Sequence, residues 1–249
     1  MIRPSTDFDL WDESLRKALS VADLADFDRL WEVRAEAVEE PNRDRGGRSG
    51  VVRLDLPGLP GLYLKRQENF LTRNRRPPFA RIPTVQREHE ALRLLAREGL
   101  EAARPVYLGR RGPRAILMTE ELVAEGDLAA ILSGLGARAR LDLARALGRE
   151  LARFHALGLR HGALYPKHLL VLGRAPWRIG FIDLEKCRRR FPLERFALHD
   201  LDGLNRRSAA FGRGARFAFL EAYLGGRGPR FRRWWRRLAE RARRRGMKG

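Results

Sequence analysis

Arg160-His161-Gly162-Ala163-Leu164-Tyr165-Pro166-Lys167-His168-Leu169-Leu170-Val171, followed after Gly173-Arg174-Ala175-Pro176 by Ile179-Gly180-Phe181-Ile182-Asp183-Leu184-Glu185-Lys186, is the stretch that decides the fold. It reads as two short apolar strands reversed by a Gly-Arg-Ala-Pro turn, with a helix ahead of the first. His168 stands at the start of one strand and Asp183 at the end of the other. A hairpin places such ends side by side, so the stretch reads as a site and not as core alone.

Working back toward the start, Ala137 to Leu157 carries a helical apolar stripe (Leu141, Ala144, Leu147, Leu151, Phe154), and Asp127 to Leu132 is a shorter helix. Val106-Tyr107-Leu108 and Ala115 to Glu121 are strands around Arg110-Arg111-Gly112-Pro113. Val85 to Glu98 is a helix that Thr84 can cap and Gly99 stops. Val51 to Leu56 and Leu62 to Gln67 form a hairpin reversed by Pro57-Gly58-Leu59-Pro60-Gly61. Glu40 to Gly50 reads as a glycine-rich loop, Trp31 to Glu39 as a strand, and Phe8 to Leu30 as one or two amphipathic helices. Residues 68 to 83 are polar and Pro-rich. Toward the other end, helices run from Leu193 onward with a break at Pro229.

The fold class expected is therefore α+β and bilobal: an N-terminal helical extension (1–30), a small lobe of five antiparallel strands plus one helix (31–122), a mainly helical lobe (123–226) and an Arg-rich amphipathic tail (227–249). A chain of 249 residues is long enough for two lobes with a sizeable core.

Composition narrows the partners. The net charge is +20, almost all from arginine, which implies anionic partners such as phosphorylated glycolipid, an acidic membrane surface or nucleic acid. Residues 1–40 carry 11 acids against 5 bases, whereas 227–249 carry 11 bases against Glu240 alone. No nucleic-acid-binding module is recognisable, so nucleic acid is not expected. The single Cys187 excludes an internal disulfide framework and a thiolate zinc site. No run is long enough to span a bilayer and the first residues lack a secretory signature, so a cytoplasmic protein is expected.

The order of chemistry-bearing residues carries more information than any one of them. Gly46, Gly47 and Gly50 would let a hairpin bring backbone N–H groups close to phosphates, although most such loops are merely turns. Lys65 lies in an otherwise apolar strand, where an ammonium needs a partner. Glu88 shares a helical face with Leu92 and Leu95 and is the natural one; Glu90, on another face, is its rival. Asp183 at a strand end suits a Mg²⁺ bound to phosphate oxygens, and His168 either joins it there or hydrogen-bonds Asp183 or a phosphate. This sequence of parts resembles the protein-kinase-like fold.

Five ordered motifs make the resemblance specific: Glu39-Glu40-Pro41-Asn42-Arg43, Gly46-Gly47-Arg48-Ser49-Gly50-Val51, Leu64-Lys65-Arg66-Gln67-Glu68-Asn69, the 161–168 loop and Ile182-Asp183-Leu184-Glu185-Lys186. Together they resemble the lipopolysaccharide kinase family of the Kdo, WaaP and InaA type, over roughly residues 27–225. The resemblance implies an ATP- and Mg²⁺-dependent sugar kinase acting on the lipopolysaccharide inner core or a lipid A precursor at the cytoplasmic face of a Gram-negative inner membrane.

Carried over by position, Lys65 would hold the α- and β-phosphates and pair with Glu88, and Asp183 and His168 would bind the metal. Glu120 to Leu122 would be the hinge that meets adenine, and Asp200 would brace the catalytic loop. The catalytic base is missing: its place is taken by Ala163, with Tyr165, Lys167 and His161 as partial substitutes. A pseudokinase that binds nucleotide and serves envelope assembly or stress is therefore the alternative. Glu185 stands where a glycine usually follows the metal-binding Asp.

The tail has its own pattern. Phe231, Trp234, Trp235, Leu238 and Ala242 share one stripe of an arginine-rich helix, which suits either an anionic membrane interface or docking on the large lobe.

Overall fold

The computed structural model describes residues 7–44, 46–73 and 81–244. The chain divides into two compact units, residues 1–94 with 103–121 and residues 95–102 with 122–249.

The first unit is built on a mostly antiparallel sheet. β1 (Phe8–Trp11) is followed by α1 (Glu13–Val21) and α2 (Phe27–Glu32), then β2 (Glu36–Ala37), β3 (Asn42–Asp44), β4 (Gly47–Leu54) and β5 (Leu62–Glu68). A small ribbon of β6 (Leu71–Arg73) and β7 (Arg81–Pro83) leads into α3 (Thr84–Arg97), and β8 (Pro105–Arg111) and β9 (Arg114–Glu120) complete the unit. The sheet order is β1-β8-β9-β5-β4-β2, with β3 also on β4. It has seven strands where five were expected.

Three local expectations are corrected here. Phe8–Trp11 is an edge strand along β8 and not the start of a helix, because its backbone finds the free edge of the sheet, register Phe8↔Arg110 to Trp11↔Tyr107. Trp31 lies in the last turn of α2, and only Glu36–Ala37 pairs as a strand. Asp26 caps α2 by accepting the N–H groups of Asp28 and Arg29, and the Arg66 guanidinium caps the other end through the Trp31 and Val33 carbonyls.

The third correction concerns the expected glycine-rich loop, which is a hairpin. Asn42, Arg43 and Asp44 pair with Ser49, Arg48 and Gly47. Gly46 holds the turn at φ +73°, a conformation that favours glycine. Gly47 is bare because a Cβ there would stand 2.5 Å from the Glu68 carbonyl oxygen. Arg45 lies outside the described residues, as do 74–80 in the Pro-rich stretch.

The core of this unit gathers Leu15, Leu19, Phe27 and Leu30 from α1 and α2 against Leu54, Leu62, Leu64, Tyr107, Ile116 and Met118 of the sheet. α3 is anchored on β5 by a polar bolt: buried Gln67 exchanges hydrogen bonds with Thr84 Oγ1 and accepts the Val85 N–H at 3.1 Å. The helix start is thus satisfied from a neighbouring strand, and the Thr84 hydroxyl serves Gln67.

The second unit begins with the end of α3, where Gly99 at φ +65° terminates the helix. β10 (Gly126–Asp127), α4 (Leu128–Ser133), α5 (Ala137–Ala156) and β11 (Leu159–Arg160) follow. Next come a 3₁₀ turn at Pro166–His168, β12 (Leu169–Arg174), β13 (Trp177–Phe181), a second turn at Leu184–Lys186 and β14 (Arg188–Arg189). α6 (Leu193–Arg207), α7 (Arg213–Leu224) and α8 (Pro229–Arg244) close the chain.

α5 is the axis of this unit. Its Phe154 stacks on Phe181 of β13 with ring centroids 5.0 Å apart, which fixes the hairpin to the helix. On another face Gly148 lets α7 approach until no Cβ could fit beside the Phe219 carbonyl. β12 and β13 pair in register Leu169↔Phe181, and the Ile182 N–H donates to the His168 carbonyl at 3.1 Å, so Asp183 follows directly after the residue opposite His168.

Candidate functional site

Candidate residues occur in each unit taken by itself. In the first, Lys65 of β5 and Glu88 of α3 form an ion pair, Nζ to Oε2 2.8 Å. Both side chains are largely buried, 16% and 8% exposed, and the pairing offsets part of the desolvation of each. Glu90 is exposed and takes no part.

The end of β9 is strongly cross-braced. Glu120 receives the Arg104 guanidinium, and Glu121 receives Arg53 at 2.9 Å and the Tyr63 hydroxyl at 3.2 Å. The Arg53 guanidinium holds the Glu121 carboxyl below the usual carboxylate range, while burial pushes the Tyr63 phenol up. Both carboxylates are thereby committed to the sheet. Their backbone N–H groups are committed as well, Glu120 to the Arg104 carbonyl at 2.9 Å and Glu121 to the Gly61 carbonyl at 2.7 Å.

In the second unit the loop 160–168 is held from below by Asp200, in the middle of α6. The Asp200 carboxylate accepts the N–H of His161 at 2.6 Å and of Gly162 at 3.0 Å. His155 of α5 reaches the same carboxylate through Nε2 at 3.4 Å, and its Nδ1 meets the Tyr223 hydroxyl at 2.8 Å. A carboxylate only accepts, so Nε2 carries the proton and Tyr223 donates to Nδ1. Burial pulls the Asp200 pKa up, but the His155 hydrogen bond and the loop amides outweigh it and hold the group ionised. His155 and Tyr223 give no sequence signal, being two aromatic polar residues on apolar helix faces 68 positions apart.

Ala163 is buried in this loop, and Lys167 is exposed. Arg207 lies over the Tyr165 ring at 4.0 Å, which occupies the face of one substitute base. His161 is fully buried and stacked on His168, and burial drives its pKa down to about 4, so it is neutral near pH 7.

His168 and Asp183 meet. The His168 Nδ1 is 2.8 Å from the Ala163 carbonyl oxygen, and a carbonyl only accepts, so Nδ1 bears a proton. In the neutral ring Nε2 is then a lone pair, and it faces Asp183 Oδ2 at 3.4 Å. A lone pair set against a carboxylate calls for a proton or a cation between them. Asp183 holds left-handed backbone angles, φ 56° and ψ 58°, a conformation costing a non-glycine residue roughly 1–2 kcal/mol. That strain turns its carboxylate toward His168 and leaves it one-third exposed. Among the described residues no cluster of three or more His, Cys, Asp or Glu could hold a metal. A cation here would complete its shell from water and ligand oxygens, as Mg²⁺ does.

Leu122 packs with Leu172 over Gly180, where a Cβ would stand 2.5 Å from Leu122 Cδ2. Gly180 thus lets two leucines form an apolar floor beside the hairpin, a role its sequence position does not reveal.

The model of the lipopolysaccharide kinase (Kdo/WaaP) family matches residues 28–223. The chain belongs to that family. It is 30% identical to Protein InaA of Escherichia coli (strain K12) over 190 residues, covering 73% of this chain and 87% of InaA. Among solved structures it is similar to WaaP in complex with acyl carrier protein, with TM-score 0.71, 21% identity and 94% of each chain covered. It is also similar to an aminoglycoside-3'-phosphotransferase of type VIII, with TM-score 0.56, 21% identity and 93% of this chain and 98% of that one covered. The fold is kinase-like, and the family is one of kinases.

Proposed function

We propose that this lipopolysaccharide kinase family member is an ATP- and Mg²⁺-dependent kinase that phosphorylates a sugar hydroxyl, heptose or Kdo, of the lipopolysaccharide inner core from the cytoplasmic side. The observation that carries the reading is the His168–Asp183 pair, in which a tautomer fixed by the Ala163 carbonyl sets a nitrogen lone pair against a carboxylate. Lys65, kept in place by Glu88, holds the α- and β-phosphates. Asp183 and His168 would hold a Mg²⁺, which would supply charge neutralisation at the phosphate oxygens.

Phosphoryl transfer proceeds through a loose transition state in which positioning and charge neutralisation dominate. The lack of a carboxylate at Ala163 therefore slows the reaction and does not forbid it. Asp200 keeps the loop backbone set while no side chain at 163 accepts the proton.

Ala163 also favours a second reading, a pseudokinase that binds Mg-nucleotide and works through that binding in envelope assembly or stress. A titration of Mg-ATP into the wild type and Asp183→Ala, followed by an ADP assay with purified core acceptor, separates the two. Binding that Asp183→Ala abolishes, with acceptor-dependent ADP release, supports the kinase. Binding without turnover leaves the pseudokinase, and no binding defeats both.

A further inference from the structure

α6 and α8 line a pocket of about 480 Å³ that shares no lining residue with the 160–168 loop or Asp183, within the range that takes small ligands. It is lined by Arg195 and Leu198 of α6 and by Arg233, Arg237, Arg241 and Arg244 of α8, with Glu194 and Glu240 as the acids. Five guanidinium groups against two carboxylates converge on one concavity.

The arrangement has a fixed part and an open part. Glu194 Oε1 accepts Arg233 at 2.9 Å, the Trp234 indole N–H at 3.0 Å and Arg237 at 3.4 Å, so one carboxylate oxygen is shared by three donors. Its charge is spread too thinly to neutralise both arginines. Arg241 stands 3.8 Å from Asp202, an ion pair without a hydrogen bond. Among the described residues neither Arg195 nor Arg244 has an ion-pair partner, and both are exposed. The guanidinium heads are thus preorganised by α8, whose Trp234 is fully buried, while much of their donor capacity faces the pocket.

α8 carries further arginines outside the pocket lining, Arg230, Arg232, Arg236 and Arg243, so only a subset converges on it. Here Arg233, Arg237 and Arg241 recur every four residues on one side and face Arg195 across a groove. Guanidinium matches phosphate oxygens with paired N–H donors, and several at close range select a ligand carrying more than one phosphate.

We propose that the α6–α8 pocket is a binding site for a ligand bearing two or more phosphate groups, separate from the nucleotide site. The same chemistry is offered by a free oligophosphate and by the phosphorylated headgroup of a lipid.

The test is a calorimetric titration of the full chain with tripolyphosphate in the absence of Mg²⁺, and in parallel flotation with phosphatidylcholine vesicles carrying phosphatidic acid. Arg195→Gln/Arg244→Gln removes two lining charges without touching Glu194 or Trp234. Arg232→Gln/Arg236→Gln removes equal charge from α8 outside the pocket. The expected result is saturable binding in at least one arm, weakened about ten-fold by the first double variant and less than two-fold by the second. Tripolyphosphate binding assigns a free ligand, and vesicle binding alone assigns a lipid headgroup. Equal loss in both double variants, loss in Lys65→Met, or no saturable binding in either arm overturns the proposal.

Discussion

Asp200 Oδ2 accepts the backbone N–H of His161 at 2.6 Å, so the 160–168 loop hangs from α6, which also sets Arg207 over the Tyr165 ring and His199 against Arg160. Removing that carboxylate orphans two amides and the His155 imidazole in a buried place. Asp200→Ala is expected to lower stability by about 3 kcal/mol, read by denaturant unfolding. His155→Gln should cost less, because Asp200 keeps both amides. If the two variants unfold alike, His155 and not the loop amides is what Asp200 serves.

Lys65→Met tests the ion pair of the first unit. It leaves Glu88 buried without its 2.8 Å partner, so nucleotide affinity and stability should both fall. Lys65→Met/Glu88→Leu should regain stability but not nucleotide binding, because the buried carboxylate is gone while the ammonium is still missing. Thermal melts with and without Mg-ATP read both quantities. Recovery of the nucleotide-induced shift in the double variant would remove Lys65 from the phosphate site.

Acid should weaken the fold before its carboxylates titrate. Burial drives His89 down to about 4 and His161 likewise. Between about pH 4 and the ordinary histidine value near 6.5 the unfolded chain therefore binds protons that the folded chain does not. Stability contributed by the neutral rings is present above pH 6.5 and lost as pH falls toward 4. Melting temperature measured from pH 7 to 4.5 should decline over that window, less steeply in His89→Gln. An unchanged slope in that variant would mean that His89 is reached by solvent.

The order of the parts was legible in the sequence because strand alternation, helix periodicity and turn residues agreed along most of the chain. The 169–181 hairpin and the helices at 84–97 and 137–156 follow from them directly. What misled was local weakness rescued by pairing. Phe8–Trp11 looks helical until β8 offers an edge, and the glycines of 46–50 look like a loop until β3 and β5 pair on both sides of β4. The site was legible where one residue type answers one need, as with Lys65 and Glu88. It was not where distant helices converge, as with His155, Asp200 and Tyr223.

The tail shows the same limit. Periodicity predicts an apolar stripe on α8 but not whether lipid or protein covers it. The structure settles this for Phe231, Trp234 and Ala242, which are buried on α6 and α7, with Phe217 edge-on to Phe231 at 4.7 Å. Of the two alternatives the sequence left open, these three residues take docking on the large lobe. Trp234→Ala should destabilise by about 3–5 kcal/mol in denaturant melts, as loss of a fully buried indole does. A shift in vesicle binding with no change in stability would reverse that assignment.

Ala163 gives the sharpest experiment. Its carbonyl already fixes the His168 tautomer, so the backbone of this position works even though its side chain cannot accept a proton. Ala163→Asp would restore a carboxylate to a loop already braced by Asp200. A positioned general base contributes on the order of 10²-fold or more to proton transfer. If the chain is a kinase lacking only its base, Ala163→Asp should raise kcat by about that factor in an ADP-release assay, with ATP affinity unchanged. If the chain is a pseudokinase with further losses, the same variant binds nucleotide equally well and remains inactive. The KM-against-kcat split is decisive, because a change in ATP affinity alone would mean that the new carboxylate has entered the metal site and not the base's place.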